Sequence, residues 1–363
     1  MSGSTVVLYG ANGYTGELIA RAAVQRGLRP VLAGRNRAAV TQLAAELGCG
    51  SLVIGLDDRT ALTQVLRGAR VVLHCAGPFS ATAAPMLEAC LAAGAHYLDI
   101  TGEIAVFEYA QSLGPRAVEA GVVLCPGVGF DVVPTDCVAA SLKAALPDAT
   151  YLALGFDSDM RASRGTALTT IEGLGVGGCI RGHGQLMKVV HGYREREIDF
   201  GRGTRNAVTI PWGDLSTAWV TTGIPNIETY IAMPAQQVRA LRRLNWVRGV
   251  LGLGVVQALL KRAVRNRVRP DDAAGRERAP AEVWGEAQAP SGEAVTARIH
   301  VANPYDVTVS ASLAVIERLL QYDGPGGYRT PSQLMGSEFV ETLPGATPLV
   351  LTRGRAWEAR PAA

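Results

Sequence analysis

Residues 4–37 place the strongest constraint on what this chain can fold into. An apolar segment, residues 5–9, leads into a glycine turn with the spacing G-x-x-G-x-x-G, and helix formers and a second apolar segment, residues 30–33, follow. A strand that runs through a glycine turn into a helix gathers backbone N–H groups and the positive end of the helix dipole at one point, where a pyrophosphate can bind. The stretch predicts a dinucleotide site, as opposed to a tight turn without a ligand, formed by Gly10, Ala11, Asn12, Gly13, Tyr14, Thr15 and Gly16.

The end of the second apolar segment indicates which dinucleotide binds. An NAD site usually carries Asp or Glu there to bind the ribose 2′-OH, but this chain has Gly34-Arg35-Asn36-Arg37. A carboxylate would repel a 2′-phosphate, whereas Arg can make a bidentate, charge-assisted contact with it. We therefore predict NADP(H), with Arg35 as the main contact and Asn36 or Arg37 assisting. The alternative is that Arg35 is a solvated loop residue.

Strand-like and helix-like segments alternate from residue 5 to residue 125. This alternation predicts an α/β fold with a doubly wound parallel sheet and helices on both faces. Ligands of such sheets bind at the carboxyl ends of the strands. Residues that follow the third, fourth and fifth strands therefore join the expected cofactor site: Asp57, Ala76, Gly77, Pro78, Phe79 and Gly102. Asp57 can equally serve as a helix cap.

Five candidate proton donors or orienting groups are expected along the same edge: Tyr97, Asp99, Glu103, Cys125 and Asp131. Tyr97 and Asp99 alternate on the fifth strand and so face one side. Asp131 lies in an apolar, glycine-rich turn, where burial can raise the pKa of its carboxyl; capping of the next helix is the alternative. None of the ten tyrosines has a lysine four residues later, which excludes the catalytic pair of short-chain dehydrogenases.

The bulk composition favours a globular protein with two domains, because 363 residues of which 48% are hydrophobic can bury a large core. We find no signal-peptide pattern at the N-terminus, no apolar run of about 18 residues that could span a bilayer, and no Cys or His spacing typical of a metal site. We therefore expect a cytoplasmic protein, with attachment to a membrane surface as the alternative.

The second half of the chain has a different pattern. Alternating segments predict strands at 151–157, 208–210, 217–221, 228–232 and 293–301, in a mostly antiparallel sheet typical of a substrate and dimerisation domain. Residues 163–176 are expected to form a helix whose first turn, with Arg164, either binds a substrate carbonyl or carboxylate or is ordinary capping. Helices are predicted at 305–321 and 333–343, both docking on the first domain.

Residues 239–269 carry nine Arg or Lys and no acid around the uncharged apolar run 249–260. Such a segment suits a membrane surface, an acyl chain or an acidic carrier partner. The alternative is a helical hairpin that covers the second sheet or forms a homodimer contact. Binding of nucleic acid is not expected, since the basic cluster is short and holds few aromatic residues.

Several motifs together resemble the saccharopine dehydrogenase-like oxidoreductases, in particular the branch with the trans-acting enoyl reductases. They lie at residues 9–16, 33–35, 76–79, 97–103 and 125–131, and the likeness continues at 163–166, 283–286 and 327–331. The resemblance implies NADP-type hydride chemistry. It also implies a Rossmann domain at 1–135, an inserted α+β substrate domain at 136–302, and a C-terminal segment, 303–363, that returns to the first domain.

Three functional hypotheses follow from the sequence. The first is NADPH-dependent reduction of a C=C or C=O bond in an apolar, lipid-like or polyketide-like small molecule, which the apolar basic segment and the branch resemblance favour. The second is a saccharopine-type C–N dehydrogenase, which needs converging arginines such as Arg161, Arg164 and Arg181 for the substrate carboxylates. The third is a non-catalytic NADP-binding or membrane-associated protein.

Overall fold

The computed structural model describes residues 5–158, 171, 173–267 and 279–355. The chain divides into two compact units, each made of two separate segments. Unit 1 comprises Met1–Val133 and Tyr305–Phe339, and unit 2 comprises Pro134–Pro304 and Val340–Ala363. The chain therefore leaves the first unit once, returns to it, and leaves it again.

The strands are numbered in chain order. They are β1 (Thr5–Tyr9), β2 (Val31–Gly34), β3 (Ser51–Val53), β4 (Ala69–His74), β5 (His96–Asp99), β6 (Val123–Cys125), β7 (Tyr151–Ser158), β8 (Gly178–Gly182), β9 (Gln185–Val189), β10 (Glu195–Asp199), β11 (Thr204–Thr209), β12 (Asn226–Ala232), β13 (Ala281–Gln288), β14 (Glu293–Val301), β15 (Gly327–Tyr328) and β16 (Val350–Arg355).

The α-helices are numbered in the same way. They are α1 (Tyr14–Gln25), α2 (Arg37–Leu47), α3 (Arg59–Leu66), α4 (Phe79–Ala93), α5 (Ile104–Ser112), α6 (Gly114–Glu119), α7 (Val133–Ala145), α8 (Asp214–Thr222), α9 (Ala235–Arg243), α10 (Arg248–Leu251), α11 (Gly254–Arg267), α12 (Pro304–Leu320) and α13 (Pro331–Met335). Short 3-10 turns occur at Leu244–Trp246 and Phe339–Thr342.

Unit 1 contains a seven-stranded sheet in the order β15-β6-β5-β4-β1-β2-β3, and every neighbouring pair is parallel. Its central strands are largely buried, and Val7, Leu32 and Val72 have no exposed surface. Strands buried on both faces are typical of a parallel sheet whose crossover helices cover it. The predicted α/β class and the doubly wound parallel sheet are confirmed.

Unit 2 contains a nine-stranded sheet in which β10-β11-β12-β7-β13-β14-β16 form the main path and β8 and β9 extend from β12. Among the described residues of this sheet, only β12 and β7 run parallel; the other pairs are antiparallel, which confirms the predicted mostly antiparallel sheet. A buried ion pair joins Arg196 to Glu286 at 3.2 Å, and the guanidinium lies 4.7 Å from the ring centroid of Trp284.

The sequence prediction is wrong at residues 217–221, which were expected to form a strand and lie in helix α8. Their β-branched and aromatic side chains favour a strand, but the helix ends at Gly223 with φ +67° and buries most of its residues, so tertiary packing overrides local propensity. The helix predicted at 333–343 is interrupted. Helix α13 stops before Gly336, whose φ is +96°, and a separate 3-10 turn follows.

The C-terminal segment also differs from the expected return of residues 303–363 to the first domain. Residues 305–339 belong to unit 1, but residues 340–363 belong to unit 2. The reason is β16, which pairs with β14 and so adds a strand to the second sheet. In the described part of the chain, no helix is long and apolar enough to cross a bilayer.

Candidate cofactor and active site

The glycine turn connects β1 to α1, and two of its positions, Gly10 and Gly16, can be occupied only by glycine. Gly10 has φ +83°, and its N–H donates to the carbonyl oxygen of Ala33 at 2.8 Å. A Cβ atom at Gly10 would lie 2.7 Å from the backbone nitrogen of Ala76, and one at Gly16 would overlap the carbonyl oxygen of Gly10. The turn is therefore closely packed, and its glycines leave the backbone uncovered at these positions.

The amino end of α1 has no side-chain cap, since Gly13 provides none. The next two helices are capped: Asn36 Oδ1 accepts from the N–H of Ala39 at 3.2 Å, and Asp58 Oδ1 accepts from the N–H of Ala61 at 2.9 Å. The first amides of a helix have no partner within the helix and attract an anion. The uncapped end of α1, beside a bare glycine turn, thus fits a pyrophosphate.

Arg35 and Asp57 follow β2 and β3, and both lie near the hydroxyl of Tyr9. The Tyr9 hydroxyl donates to the carbonyl oxygen of Ile54 at 3.1 Å. Burial raises the pKa of Tyr9, while the nearby Arg35 lowers it and Asp57 raises it, so both charges act on the same hydroxyl. Both side chains are exposed. Arg35 is thus available to a phosphate, whereas Asn36, the other predicted contact, uses its side-chain oxygen to cap α2.

The glycine turn has two further side chains of note. The ring of Tyr14 meets the ring of Tyr305 edge to face, with centroids 4.9 Å apart. Asn12 is exposed, and its Oδ1 atom lies against Gly34 at the end of β2. Ala11 is buried and donates its N–H to Ala33, while Thr15 is half-buried.

The residues after β4 form the next part of this edge. Ala76, Pro78 and Phe79 are half-buried and Gly77 is exposed. The Phe79 ring meets the imidazole of His74 edge to face at 5.4 Å. Burial lowers the pKa of His74 to about 3, so the ring is neutral and serves as an aromatic support for this turn.

Glu103 binds the amino end of α4. Its Oε1 atom accepts from the N–H of Phe79 at 3.0 Å and its Oε2 atom accepts from the N–H of Ser80 at 2.7 Å. A carboxylate at a helix amino end is favoured by the helix dipole and satisfies two amides. The sequence proposed Glu103 as a proton donor; the structure places its oxygens on these amides, 23 and 24 residues earlier in the chain.

Tyr97 and Asp99 form a fully buried pair at the end of β5. The Tyr97 hydroxyl donates to Asp99 Oδ2 at 2.6 Å, and Asp99 Oδ1 accepts from the N–H groups of Thr101 at 3.0 Å and Gly127 at 2.8 Å. Burial raises the pKa of Asp99 to about 6 and holds that of Tyr97 well above its usual value. This pair ties β5 to the turn after β6 and has almost no surface for a substrate.

The remaining two candidates differ in accessibility. Cys125 has no exposed surface. Asp131 is half-buried, and a Cβ atom on Gly102 would lie 3.0 Å from its Oδ2 atom. Burial raises the pKa of Asp131 to about 6. Of the five candidates, three are buried and Glu103 binds two amides of α4, so Asp131 is the one that we consider further as a proton donor.

The turn that carries Asp131 is held by α12, a contact that the sequence analysis missed. The N–H of Phe130 donates to Thr308 Oγ1 at 3.0 Å, and Ser312 donates to the carbonyl oxygen of Val128 at 3.3 Å. No local motif indicates these contacts, because about 180 residues separate the partners. Covariation between the two segments is the signal that would reveal them.

Residues 6–125 match the family model described as the saccharopine dehydrogenase NADP-binding domain. This segment is a saccharopine dehydrogenase NADP-binding domain. The predicted family resemblance and the predicted cofactor type are thereby confirmed for the domain that carries the glycine turn and Arg35.

Curated relatives resemble about a third of the chain. Human saccharopine dehydrogenase-like oxidoreductase is 28% identical over 151 aligned residues, which cover 36% of this chain and 35% of that protein. The trans-acting enoyl reductase of Mycobacterium leprae is 32% identical over 139 residues, which cover 36% of this chain and 33% of that protein. The chain thus matches about a third of the length of these relatives.

The likeness in structure extends further. Apo saccharopine dehydrogenase (L-Glu forming) from Saccharomyces cerevisiae aligns with 96% of this chain and 99% of its own, with a TM-score of 0.64 and 11% identity. At that identity the match establishes the shared fold of the NADP-binding domain and the second sheet.

Asp131 gives the NADP-binding domain a testable pH dependence. Its pKa rises from 3.8 to about 6 on folding, so its contribution to stability is fully present below about pH 4 and is lost as the pH rises through 6. The rise corresponds to at most about 3 kcal/mol, and partial exposure reduces our expectation to about 2 kcal/mol. We expect Asp131→Asn to exceed the wild type in unfolding free energy by that amount at pH 7.5 and to equal it at pH 4.

Urea unfolding at the two pH values measures this difference. Asp323→Asn is the control, because Asp323 is exposed in unit 1 and its substitution should leave the pH profile unchanged. An Asp131→Asn variant that is less stable than the wild type at pH 7.5 would show that the carboxylate is stabilised in the fold, contrary to our expectation.

Proposed function

We propose that the protein is an NADPH-dependent oxidoreductase that reduces a C=C or C=O bond of an apolar substrate. The observation that carries the proposal is the NADP-binding domain with an acid of raised pKa, Asp131, at the same edge as the glycine turn. The names of the relatives, an oxidoreductase and an enoyl reductase, support the reaction class.

In this proposal the uncapped end of α1 and the glycine turn hold the pyrophosphate, and Arg35 holds the 2′-phosphate. Asp57 lies near the adenosine, and the residues after β4 and Gly102 border the nicotinamide. When bound, NADPH supplies a hydride. Reduction of a C=C or C=O bond also takes up one proton, and we assign that proton to the Asp131 carboxyl, whose pKa of about 6 keeps a fraction of it protonated near neutral pH.

An apolar substrate is favoured by the name of the Mycobacterium leprae relative, a trans-acting enoyl reductase. The C–N dehydrogenase alternative ranks second. It relied on converging arginines, of which Arg161 and Arg164 lie outside the described residues. The third, Arg181, is buried and donates to the carbonyl oxygens of Leu215 and Gly184, so its guanidinium already has partners within the fold.

The proposal is tested by NADPH oxidation with a panel of enoyl thioesters, ketones and imines. We expect turnover with an enoyl or keto substrate and a fall in kcat of about 100-fold in Asp131→Asn with unchanged NADPH affinity, because one positioned general acid contributes a factor of that order. Asp323→Asn should retain full activity. Turnover with the imines alone would favour the C–N alternative. NADPH binding without turnover across the panel would favour the non-catalytic hypothesis.

A further inference from the structure

One segment of unit 2, residues 246–259, exposes an unusual number of apolar side chains. Trp246 is 92% exposed, Val255 75% and Leu259 61%. Three further exposed apolar residues, Val247, Val250 and Leu253, lie in the same stretch of sequence. We call these six side chains the Trp246 surface. These apolar side chains are not buried in a core. A cluster of exposed apolar side chains indicates a binding surface for a partner or a membrane.

Helical spacing arranges part of the Trp246 surface in a stripe. In α11, Val255, Leu259 and Arg262 follow each other at intervals of four and three residues, and all three are exposed. The stripe therefore presents apolar side chains ending in a cation. The intervening Val256 and Leu260 are less exposed and lie on the other side of the helix.

The charged residues within the segment that carries the Trp246 surface all have one sign. Residues 239–262 contain six cations and no acid: Arg239, Arg242, Arg243, Arg248, Lys261 and Arg262. Of these, Arg242 pairs with Glu195 in β10. Exposed apolar side chains framed by positive charge complement a surface that is apolar inside and negative outside, which is the character of an anionic lipid bilayer.

An open groove beside α10 has the same dual character. It encloses about 540 Å³ and is lined by Lys188 and Arg248 together with apolar residues that include Val176 and Val190. Val176 and Val190 are themselves 56% and 50% exposed. The groove thus offers two cations next to apolar side chains in the region that carries the Trp246 surface.

We propose that the Trp246 surface docks the protein on an anionic membrane surface. Apolar side chains enter the boundary between headgroups and acyl chains, the indole of Trp246 lies at that boundary, and the flanking arginines contact the headgroups. An acidic protein partner is less favoured, because burial of six exposed apolar side chains is more favourable at a lipid boundary than against a charged protein surface.

Co-sedimentation of the full chain with vesicles tests the proposal. We expect binding to phosphatidylcholine vesicles that contain about one third phosphatidylglycerol, with little binding to pure phosphatidylcholine. The variant Trp246→Ser/Val255→Ser/Leu259→Ser should bind at least about tenfold more weakly. The variant Arg243→Gln/Arg262→Gln should bind anionic vesicles about tenfold more weakly than the wild type, with no change on pure phosphatidylcholine. Added salt should weaken the binding of the wild type to anionic vesicles.

The control variants use exposed residues elsewhere in the chain. Val118→Ser/Val350→Ser/Leu351→Ser removes three other exposed apolar side chains, and Arg37→Gln/Arg67→Gln removes two other exposed arginines. Both should bind vesicles like the wild type, and all variants should keep the wild-type thermal unfolding midpoint. Equal loss in the surface and control variants would overturn the proposal. The proposal would also be overturned if the wild type formed a dimer and did not bind vesicles, and if the Trp246→Ser/Val255→Ser/Leu259→Ser variant were a monomer. The Trp246 surface would then bind a second copy of the chain.

Discussion

Arg35→Ala should abolish the preference for NADPH over NADH. We expect the Kd for NADPH to rise about 100- to 1000-fold, since a bidentate arginine–phosphate contact contributes about 3–4 kcal/mol where it is well formed. The Kd for NADH should change less than about threefold, because NADH carries no 2′-phosphate for this side chain to bind. Nucleotide fluorescence titration of both cofactors measures the two constants.

Arg67→Ala is the control for Arg35→Ala. It removes the same charge from another exposed position in unit 1, so any general electrostatic effect on the bound cofactor appears in both variants and the specific contact in Arg35→Ala alone. Parallel losses of NADPH and NADH affinity in Arg35→Ala would place Arg35 on a part of the cofactor that both share. Full retention of NADPH affinity would mean that another residue binds the 2′-phosphate.

Asp99→Leu should destabilise unit 1 by about 4 kcal/mol. The substitution leaves three buried donors without their acceptor: the Tyr97 hydroxyl and the N–H groups of Thr101 and Gly127. Each unsatisfied buried donor costs about 1–3 kcal/mol, and the sum is partly offset by removal of a buried charge. Denaturant unfolding monitored by circular dichroism measures the loss.

Asp99→Asn separates hydrogen bonding from acid chemistry. Both backbone N–H groups donate to Oδ1, which the amide retains, and the new amide nitrogen can donate to the Tyr97 hydroxyl oxygen. We expect a stability within about 1 kcal/mol of the wild type and near-normal turnover. A stable Asp99→Asn variant with normal NADPH affinity and no turnover would contradict our structural role for Asp99 and give it a chemical one.

Local sequence patterns were sufficient for the first sheet because its signals are short-range. Residues 5–37 combine a buried strand, a glycine turn and a helix start, and each is encoded within a few neighbouring residues. Short apolar runs such as residues 6–8 and 71–73 likewise indicate buried strands, since a parallel sheet buries both faces.

Long-range contacts account for what the sequence did not reveal. Glu103 is a plausible acid by its position after β5, yet it caps a helix that begins 24 residues earlier. Thr308 holds the turn of Asp131 from a helix about 180 residues away. Residues 214–222 form a helix although their side chains favour a strand, because tertiary packing determines their conformation. The charge and spacing of residues do not predict these contacts, because the contacts depend on which segments meet in the folded chain.

The position of β15 bears on how the protein is made. This strand completes the edge of the first sheet beside β6, but the ribosome synthesises it only after most of unit 2 has emerged. During that interval the β6 edge lacks its neighbour, and an unpaired strand edge invites pairing with other chains. A nascent chain that pauses between residues 133 and 305 is therefore in its most aggregation-prone period, which makes translation speed through unit 2, and chaperone access during it, determinants of yield.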